Sequence, residues 1–246
     1  MRYDASTYGE RIAEVYDELY SGGFFDDNAT VEFYASVAGG GPALELGIGT
    51  GRIAVPLKAT GVEVHGIDTS PKMVERMRAK PGGEDIPVSF GDFAEVPIEG
   101  KFKLVYIPFN TLFALLSQED QVRCFKSVAE HLEPGGAFAF DAFVPDPTRF
   151  TRHQNVMVEG IEDEVVRLGF GVHDPVEQRV KSYHVHLSES GIKMYPVQIR
   201  YAYPAELDLM AQLAGLRLDH RYGGYRREPF DSSSQAHVSV YVKTGE

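Results

Sequence analysis

Three glycines at alternate positions follow a short apolar run early in the chain. The run Ala43 to Leu46 is typical of a buried strand, and Gly47, Gly49 and Gly51 come directly after it. The next segment, from Arg52 to Leu57, is compatible with a helix. A glycine turn lets the backbone approach a ligand, and the start of the following helix favours an anionic group. This stretch therefore predicts a nucleotide or nucleoside pocket.

Further candidate residues stand where the next predicted strands end. Asp68 lies about 20 residues beyond the first glycine, where a carboxylate accepts hydrogen bonds from both ribose hydroxyls. Asp92 is placed to accept from an exocyclic adenine amine, and Phe93 or Met73 to pack on the ring. The run Pro108 to Thr111 follows the fourth strand. Together these residues predict a pocket for an adenosine.

The elements that position these residues alternate between strand and helix. Ser70 and Pro71 are typical of the N-cap and first position of a helix. Alternating strands and helices predict a parallel sheet covered on both faces, with ligands beyond the carboxyl ends of the strands. The predicted strands cover 42–46, 62–67, 87–90, 103–107 and 137–140, and the helices between them cover 51–59, 70–80 and 117–132.

The pattern changes after Phe150, where β-rich segments follow one another through tight turns, as in an antiparallel sheet. These segments cover 156–159, 164–172, 178–187 and 192–202. Helices at 9–20 and 28–37 precede the first strand, and a helix at 204–214 with strands at 216–222 and 236–242 ends the chain. We therefore predict an α/β fold, a Rossmann-like doubly wound, mostly parallel sheet with an antiparallel β insertion after the fifth strand. Its segments are N-terminal cap helices (1–40), a core (41–150), the insertion (151–203) and a C-terminal helix and strands that complete the core (204–246).

Composition narrows the class of protein. The 246 residues include 36 acidic and 24 basic side chains, for a formal charge of −12, which disfavours nucleic acid and anionic membranes as partners. The single cysteine, Cys124, forms no internal disulfide, and the N-terminal region lacks a hydrophobic signal core. No apolar run approaches the roughly 18 residues of a membrane span. We expect a cytoplasmic protein.

The glycine pattern alone leaves two cofactors open. Read from Gly49, the segment to Ala54 matches the GxGxxA pattern of dinucleotide sites. Read from Gly47, where the strand ends, Arg52 stands in place of the third glycine and the match fails. We therefore prefer a site for a different adenosine cofactor and keep an NAD-dependent oxidoreductase as the alternative.

Five motifs in order favour that second cofactor. They are ELGIGTG (45–51), GIDTSPKM (66–73), GDF (91–93), PFNTLFALL (108–116) and HLEPGGAFAFD (131–141). Together they resemble the class I S-adenosylmethionine (SAM) dependent methyltransferases. The layout is similar to small-molecule N- and O-methyltransferases, such as sugar N,N-dimethyltransferases and the glycine and sarcosine methyltransferases.

The resemblance implies a SAM site, from which the product S-adenosylhomocysteine (SAH) leaves. The three glycines would admit the methionine portion, with Glu45 near its ammonium. Asp68 would hold the ribose, Met73 and Phe93 would sandwich the adenine, and Asp92 would bind its amine. The implied cofactor-binding set is Glu45, Gly47, Gly49, Gly51, Asp68, Met73, Asp92, Phe93 and Pro108.

The resemblance also implies an acceptor site under the N-terminal helices. The segment from Val15 to Tyr20 resembles the cap helix of the aminosugar enzymes, in which a tyrosine matching Tyr20 stands close to the methyl group. Tyr16, Asn110 and Thr111 are the implied substrate-binding residues. No residue is assigned to a metal, and the partner is a small-molecule acceptor, with a homodimer as a further prediction.

Methyl transfer is an in-line displacement, in which a hydroxyl acceptor needs a base and an amine needs little help. The catalytic candidates are Tyr20, Asp141 at the end of the fifth strand, and the pair His184 and His186 on one strand face. The histidines and carboxylates of the insertion favour oxygen over nitrogen as the acceptor atom of a polar metabolite such as a sugar or natural product. The alternative for Asp141 is a cap of the following turn, and that for the two histidines is an exposed strand face. The alternative for the protein is a SAM-binding regulatory protein without catalysis.

Overall fold

The computed structural model describes residues 7–20 and 26–243. The strands of these residues form two separate sheets. The strands are β1 (Ala43–Leu46), β2 (Val64–Asp68), β3 (Val88–Phe90), β4 (Phe102–Ile107), β5 (Leu132–Phe143), β6 (Gln154–Ile161), β7 (Val165–Asp174), β8 (Arg179–Ser188), β9 (Gly191–Arg200), β10 (Leu216–Tyr222) and β11 (Ala236–Lys243). The main sheet has the order β10-β11-β5-β4-β1-β2-β3. Strands β1 to β5 run parallel, and β10 and β11 are antiparallel additions at one edge.

The strand order reverses between β1 and β4, which are neighbours in the main sheet. Ligands of such sheets bind beyond the carboxyl ends of the strands at this reversal. The glycine turn follows β1 and the run from Pro108 follows β4, so the order brings both to one crevice. The predicted α/β fold with a mostly parallel sheet is confirmed.

Seven α-helices accompany the sheets in the described part of the chain. They are α1 (Thr7–Ile12), α2 (Tyr16–Tyr20), α3 (Asp27–Ala38), α4 (Ala54–Ala59), α5 (Pro71–Arg78), α6 (Gln118–His131) and α7 (Pro204–Leu213). The single helix predicted at 9–20 is two short helices. The helix predicted from residue 51 begins only at Ala54, because Gly51 has a φ of +70° and belongs to the turn. Ser70 caps α5 as predicted, its side chain accepting from the Met73 N–H.

Apolar side chains cover the main sheet on both faces. On one face, α6 and α7 pack over β4, β5 and β11 through residues such as Phe125, Phe140 and Tyr241. On the other, α3, α4 and α5 pack through residues such as Tyr34 and Met77. Full burial of one large side chain contributes about 1.5–3 kcal/mol, so this double packing fixes the strand ends that hold the site. None of the helices within the described ranges is long and apolar enough to cross a membrane.

The second sheet, β6-β7-β8-β9, is antiparallel and lies after the fifth strand, as predicted. Tyr195 of β9 is buried with Ile12 and with Met73 of α5, so this sheet and the N-terminal helices close over the crevice. The opposite face of the sheet exposes apolar side chains such as Val156 and Val158. One face of the insertion therefore belongs to the site.

Candidate active site

A cavity of about 320 Å³ lies at the carboxyl ends of β1 and β2, roofed by α1, α2 and the second sheet. A smaller cavity of about 30 Å³ shares its wall and extends toward β4. The predicted residues that line these two cavities are Tyr16, Tyr20, Glu45, Gly47, Gly49, Asp68, Met73, Phe93, Pro108, Asn110, Thr111 and His184. Those that do not line them are Gly51, Asp92, Asp141 and His186.

The three glycines of the turn have two different tasks. All have positive φ, with Gly47 at +77° and Gly49 at +56°. A Cβ added to Gly49 would find only the Gly47 carbonyl oxygen, 3.9 Å away, so the space in front of it is open for a ligand. A Cβ at Gly51 would lie 2.4 Å from Cγ of Met77. Gly51 is therefore required for packing on α5 and does not face the cavity.

Asp68 joins the glycine turn to the start of α5. Its Oδ2 accepts from the Gly49 N–H at 2.7 Å, and its Oδ1 accepts from the Ser70 N–H at 2.8 Å. Burial raises the pKa of this carboxyl, and the backbone donors oppose the shift. Met73 and Phe93 lie on the same cavity wall. The arrangement fits a polar ribose beside a flat apolar base.

Glu45 lies at the bottom of the smaller cavity. It is buried and accepts from the Tyr106 hydroxyl at 2.7 Å. Burial raises the pKa of Glu45 to about 8, while the Tyr106 hydrogen bond and the Arg52 guanidinium oppose this. Arg52 lines both cavities, with Cζ 3.4 Å from the centre of the Phe109 ring. A buried acid and a guanidinium therefore face one small space, which fits the two charged ends of an amino acid.

Arg52 is a site residue that the sequence interpretation missed. That interpretation used Arg52 only to exclude a dinucleotide. Its position directly after the third glycine, seven residues beyond the buried Glu45, was the available signal.

Cap helix α2 is attached to the glycine turn by polar contacts. Asp17 accepts from the Thr50 hydroxyl at 2.6 Å and pairs with Lys80 Nζ at 2.9 Å. Lys80 also donates to the Thr50 carbonyl at 2.8 Å. The contacts hold Tyr16 and Tyr20, whose ring centres lie 4.7 Å apart, on the cavity wall. Opening this cap would break this small polar network and also the apolar contacts of the N-terminal helices with Met73 and Tyr195.

Asp141 supports the corner after β4 from behind. Its Oδ1 accepts from the Phe109 N–H at 2.6 Å and from the Tyr225 hydroxyl at 2.5 Å. Phe109 and Asn110 both have positive φ, +61° and +59°, and Asn110 Oδ1 accepts from the Phe143 N–H. Burial raises the pKa of Asp141, which does not reach the cavity wall. Asp141 therefore stabilises the corner after β4 by accepting hydrogen bonds. This role is closer to the alternative of a turn cap than to that of a catalytic base.

Replacing Asp141 with alanine is expected to lower the free energy of unfolding by about 2–4 kcal/mol. The variant leaves the Phe109 N–H and the Tyr225 hydroxyl without their acceptor, at about 1–3 kcal/mol for each buried group. Urea denaturation measures the change. Asp163→Ala, at an exposed loop carboxylate, is the matched control and should stay within about 0.5 kcal/mol. Equal stability of the two variants would contradict the supporting role.

The two predicted histidines have different surroundings. His184 lines the cavity, and its Nδ1 donates to Oε1 of Glu159 at 2.7 Å, which leaves Nε2 as an acceptor. His186 lies edge-on against Tyr195, with ring centres 5.0 Å apart, and burial lowers its pKa. Glu159, on β6 and across the intervening β7 from His184, was not predicted. Its partner lies 25 residues away, so no local pattern identifies the pair.

Asp92 lies beside the cavity rather than on its wall. Its Oδ1 accepts from the Ala94 N–H at 2.9 Å, and the side chain is exposed. The adjoining Phe93 is buried and lines the cavity. Asp92 therefore precedes a residue of the cavity wall in sequence but does not itself line the cavity.

Comparisons with known proteins identify the family of this chain. Residues 43–136 match the family model of the methyltransferase domain. The chain is 42% identical to the CcbJ methyltransferase from Streptomyces caelestis, with 99% of this chain and 100% of that chain covered and a TM-score of 0.93. It is 29% identical over 243 residues to a cypemycin N-terminal methyltransferase from a Streptomyces species, covering 96% of this chain and 98% of the relative.

A more distant structure shows how widely the fold is shared. CalS10, an amino pentose methyltransferase from Micromonospora echinaspora, is 18% identical, with 94% of this chain and 97% of that chain covered and a TM-score of 0.72. The comparisons confirm the resemblance found in the motifs and decide against the oxidoreductase alternative. The chain is an enzyme and belongs to the class I SAM-dependent methyltransferases.

Proposed function

We propose that this enzyme transfers a methyl group from SAM to an amine nitrogen of a small molecule. The observation that carries the proposal is His184, which lines the same cavity as Asp68 and whose ring is hydrogen-bonded to Glu159. At neutral pH an amine arrives as an ammonium, which the acidic chain attracts and which must lose a proton before it can attack. The named activity of a full-length relative, an N-terminal methyltransferase, supports nitrogen.

The proposed SAM seat follows the cavity from its narrow end to its wide end. Glu45 would pair with the ammonium and Arg52 with the carboxylate, because the two side chains share the narrow space. Asp68 would accept from the ribose hydroxyls. Met73 and Phe93 would enclose the adenine, with Asp92 beside its amine.

Bound there, SAM supplies a methyl group on a positively charged sulfur. The chain's own residues align the acceptor and exclude water, which is most of what an in-line displacement needs. Tyr16, Tyr20 and Asn110 line the region between the glycine turn and His184 and would orient the acceptor. His184 Nε2 would take the proton while Glu159 holds the ring in the required tautomer.

Oxygen is the second candidate acceptor, and one observation favours it. A histidine held by a carboxylate is also the arrangement that activates a hydroxyl. An ammonium is a far stronger acid than an alcohol hydroxyl, so the mismatch in basicity with an imidazole base is smaller for nitrogen than for oxygen. The smaller mismatch is our reason for placing nitrogen first.

Paired acceptors test the choice of atom. We would measure SAH formation with amines and with alcohols of the same skeleton, such as glucosamine against glucose and hexylamine against hexanol. We expect turnover with amines, and the methyl group located on nitrogen by mass spectrometry. Turnover with the alcohols alone would contradict the proposal and support oxygen.

Affinity for SAH is expected to rise with pH because of Glu45. Its pKa of about 8 means that the free protein holds this group mostly neutral at pH 7, whereas an ammonium ligand pairs with the ionised form. The affinity should therefore increase by up to about tenfold per pH unit between about pH 6 and 8. Calorimetry in two buffers of different ionisation enthalpy should also show proton release at pH 7.

Glu45→Gln is the control for this pH dependence. It keeps an acceptor for the Tyr106 hydroxyl but does not titrate, so its SAH affinity should be low and nearly constant over the same range. An equally steep dependence in the variant would assign the effect to another group.

A further inference from the structure

A second cavity, of about 180 Å³, lies beneath the second sheet and outside the proposed SAM seat. Its walls come from β6, β7, β8 and β9 and from the end of β5 with the segment that follows it. Most of the lining is apolar, and members include Phe143, Phe150, Met157 and Val180. We call this space the inner chamber.

The floor of the inner chamber is ordered by an aromatic stack. His173 lies on Phe150, with ring centres 4.6 Å apart and an interplanar angle of 29°, and its Nε2 is 2.8 Å from the Tyr201 hydroxyl. Burial lowers the pKa of His173, which keeps the ring neutral. His173 Nε2 and the Tyr201 hydroxyl are therefore paired with each other, and the stacked rings offer a flat surface to a ligand.

The inner chamber shares two lining residues with the cavity of about 320 Å³ that holds the proposed SAM seat. His184 and Ile199 line both spaces. A molecule whose amine lies beside His184 is therefore next to both spaces.

We infer that the inner chamber binds an apolar arm of the acceptor, so that the substrate class is an amphipathic amine rather than a simple polar sugar. The inference rests on the proposed function and deepens it. The amine would lie at the junction beside His184, and an alkyl chain or aromatic ring would pack between Phe150 and Met157. A cavity of about 150 Å³ lined by apolar side chains is enough to bind benzene, so the chamber has room for one ring or a chain of similar volume.

A series of amines tests this inference in the SAH-loaded enzyme. Calorimetry would compare ethylamine, butylamine, hexylamine and 4-phenylbutylamine, which share the ammonium and differ in the apolar arm. Burial of each methylene should improve affinity by up to about fourfold, so we expect hexylamine to bind at least about tenfold more tightly than ethylamine.

Matched variants on β8 locate the effect. Ser182 lines the inner chamber, whereas its neighbour Lys181 is exposed and lies on the opposite face of the strand. Ser182→Phe should fill the chamber and remove the gain with chain length while SAH still binds. Lys181→Phe adds the same ring outside and should keep the gain.

The outcomes separate this inference from the proposed function. If the wild-type enzyme binds SAH but binds all four amines with equal affinity, the chamber assignment alone is overturned. The same holds if a Ser182→Phe protein that binds SAH still binds the longer amines more tightly to the same extent. Failure of the wild-type enzyme to bind SAH would overturn both proposals. If Ser182→Phe does not fold, a crystal structure with 4-phenylbutylamine decides, because the ring must lie against Phe150.

Discussion

Asp68→Ala is expected to weaken SAH binding by about 100-fold or more. The carboxylate accepts from the backbone of Gly49 and of Ser70, and in our account it also accepts from the ribose. Hydrogen bonds to a charged group contribute about 1.5–3 kcal/mol each, so loss of two such contacts exceeds the 2.8 kcal/mol that a 100-fold change requires. Calorimetric titration with SAH measures the change.

Two further variants show whether that loss is local. Asp85→Ala removes the same charge from an exposed position away from the cavities and should bind SAH as the wild type does. Asp68→Asn keeps one acceptor oxygen, so its affinity should lie between those of the wild type and the alanine variant. SAH affinity in folded Asp68→Ala that equals that of Asp85→Ala would remove Asp68 from the cofactor seat.

His184→Asn is expected to lower kcat by about 10²- to 10⁴-fold, the usual contribution of a positioned acid or base. The variant keeps a polar side chain at this lining position but loses the Nε2 acceptor. SAH affinity should change little, because the proposed cofactor contacts lie on other residues. The rate deficit should shrink as pH rises, since more of the amine is then deprotonated in solution. Steady-state kinetics over a range of pH values checks both points.

His186→Asn is the matched control on the same strand. That ring packs against Tyr195 and does not line the cavity, so kcat should fall by less than about threefold at equal folded fraction. Glu159→Gln should give an intermediate loss, because it weakens the orientation of His184 without removing the base. Equal losses for His184→Asn and His186→Asn would show that neither ring acts as the base.

The sheet and the cofactor side of the site could be predicted because their signals are local. Candidate site residues lie close in sequence to the ends of the parallel strands. Asp68 is the last residue of β2, and Phe93 comes shortly after β3. The reversal of strand order then follows from the α/β architecture and brings these ends together. Gly51 shows the limit of a local signal, since the same residue type serves packing on Met77 rather than ligand approach.

The acceptor side could not be predicted in the same detail because its contacts join distant parts of the chain. Asp141 meets a tyrosine 84 residues later in the sequence, and Asp17 meets Thr50 across 33 residues. Whether a carboxylate at a strand end faces the cavity or the protein interior depends on such partners. The preference for oxygen drawn from the sequence relied on the histidines and carboxylates of the insertion, and the structure packs one of these histidines, His186, against Tyr195.

A crystal structure of the SAH complex tests the proposed site most directly. We predict the adenine between Met73 and Phe93, the ribose hydroxyls within hydrogen-bond distance of Asp68, and the amino group of the homocysteine portion beside Glu45. The sulfur should then face the region between Tyr20 and His184. SAH bound with its adenine in the inner chamber, or with its amino group away from Glu45, would contradict the account.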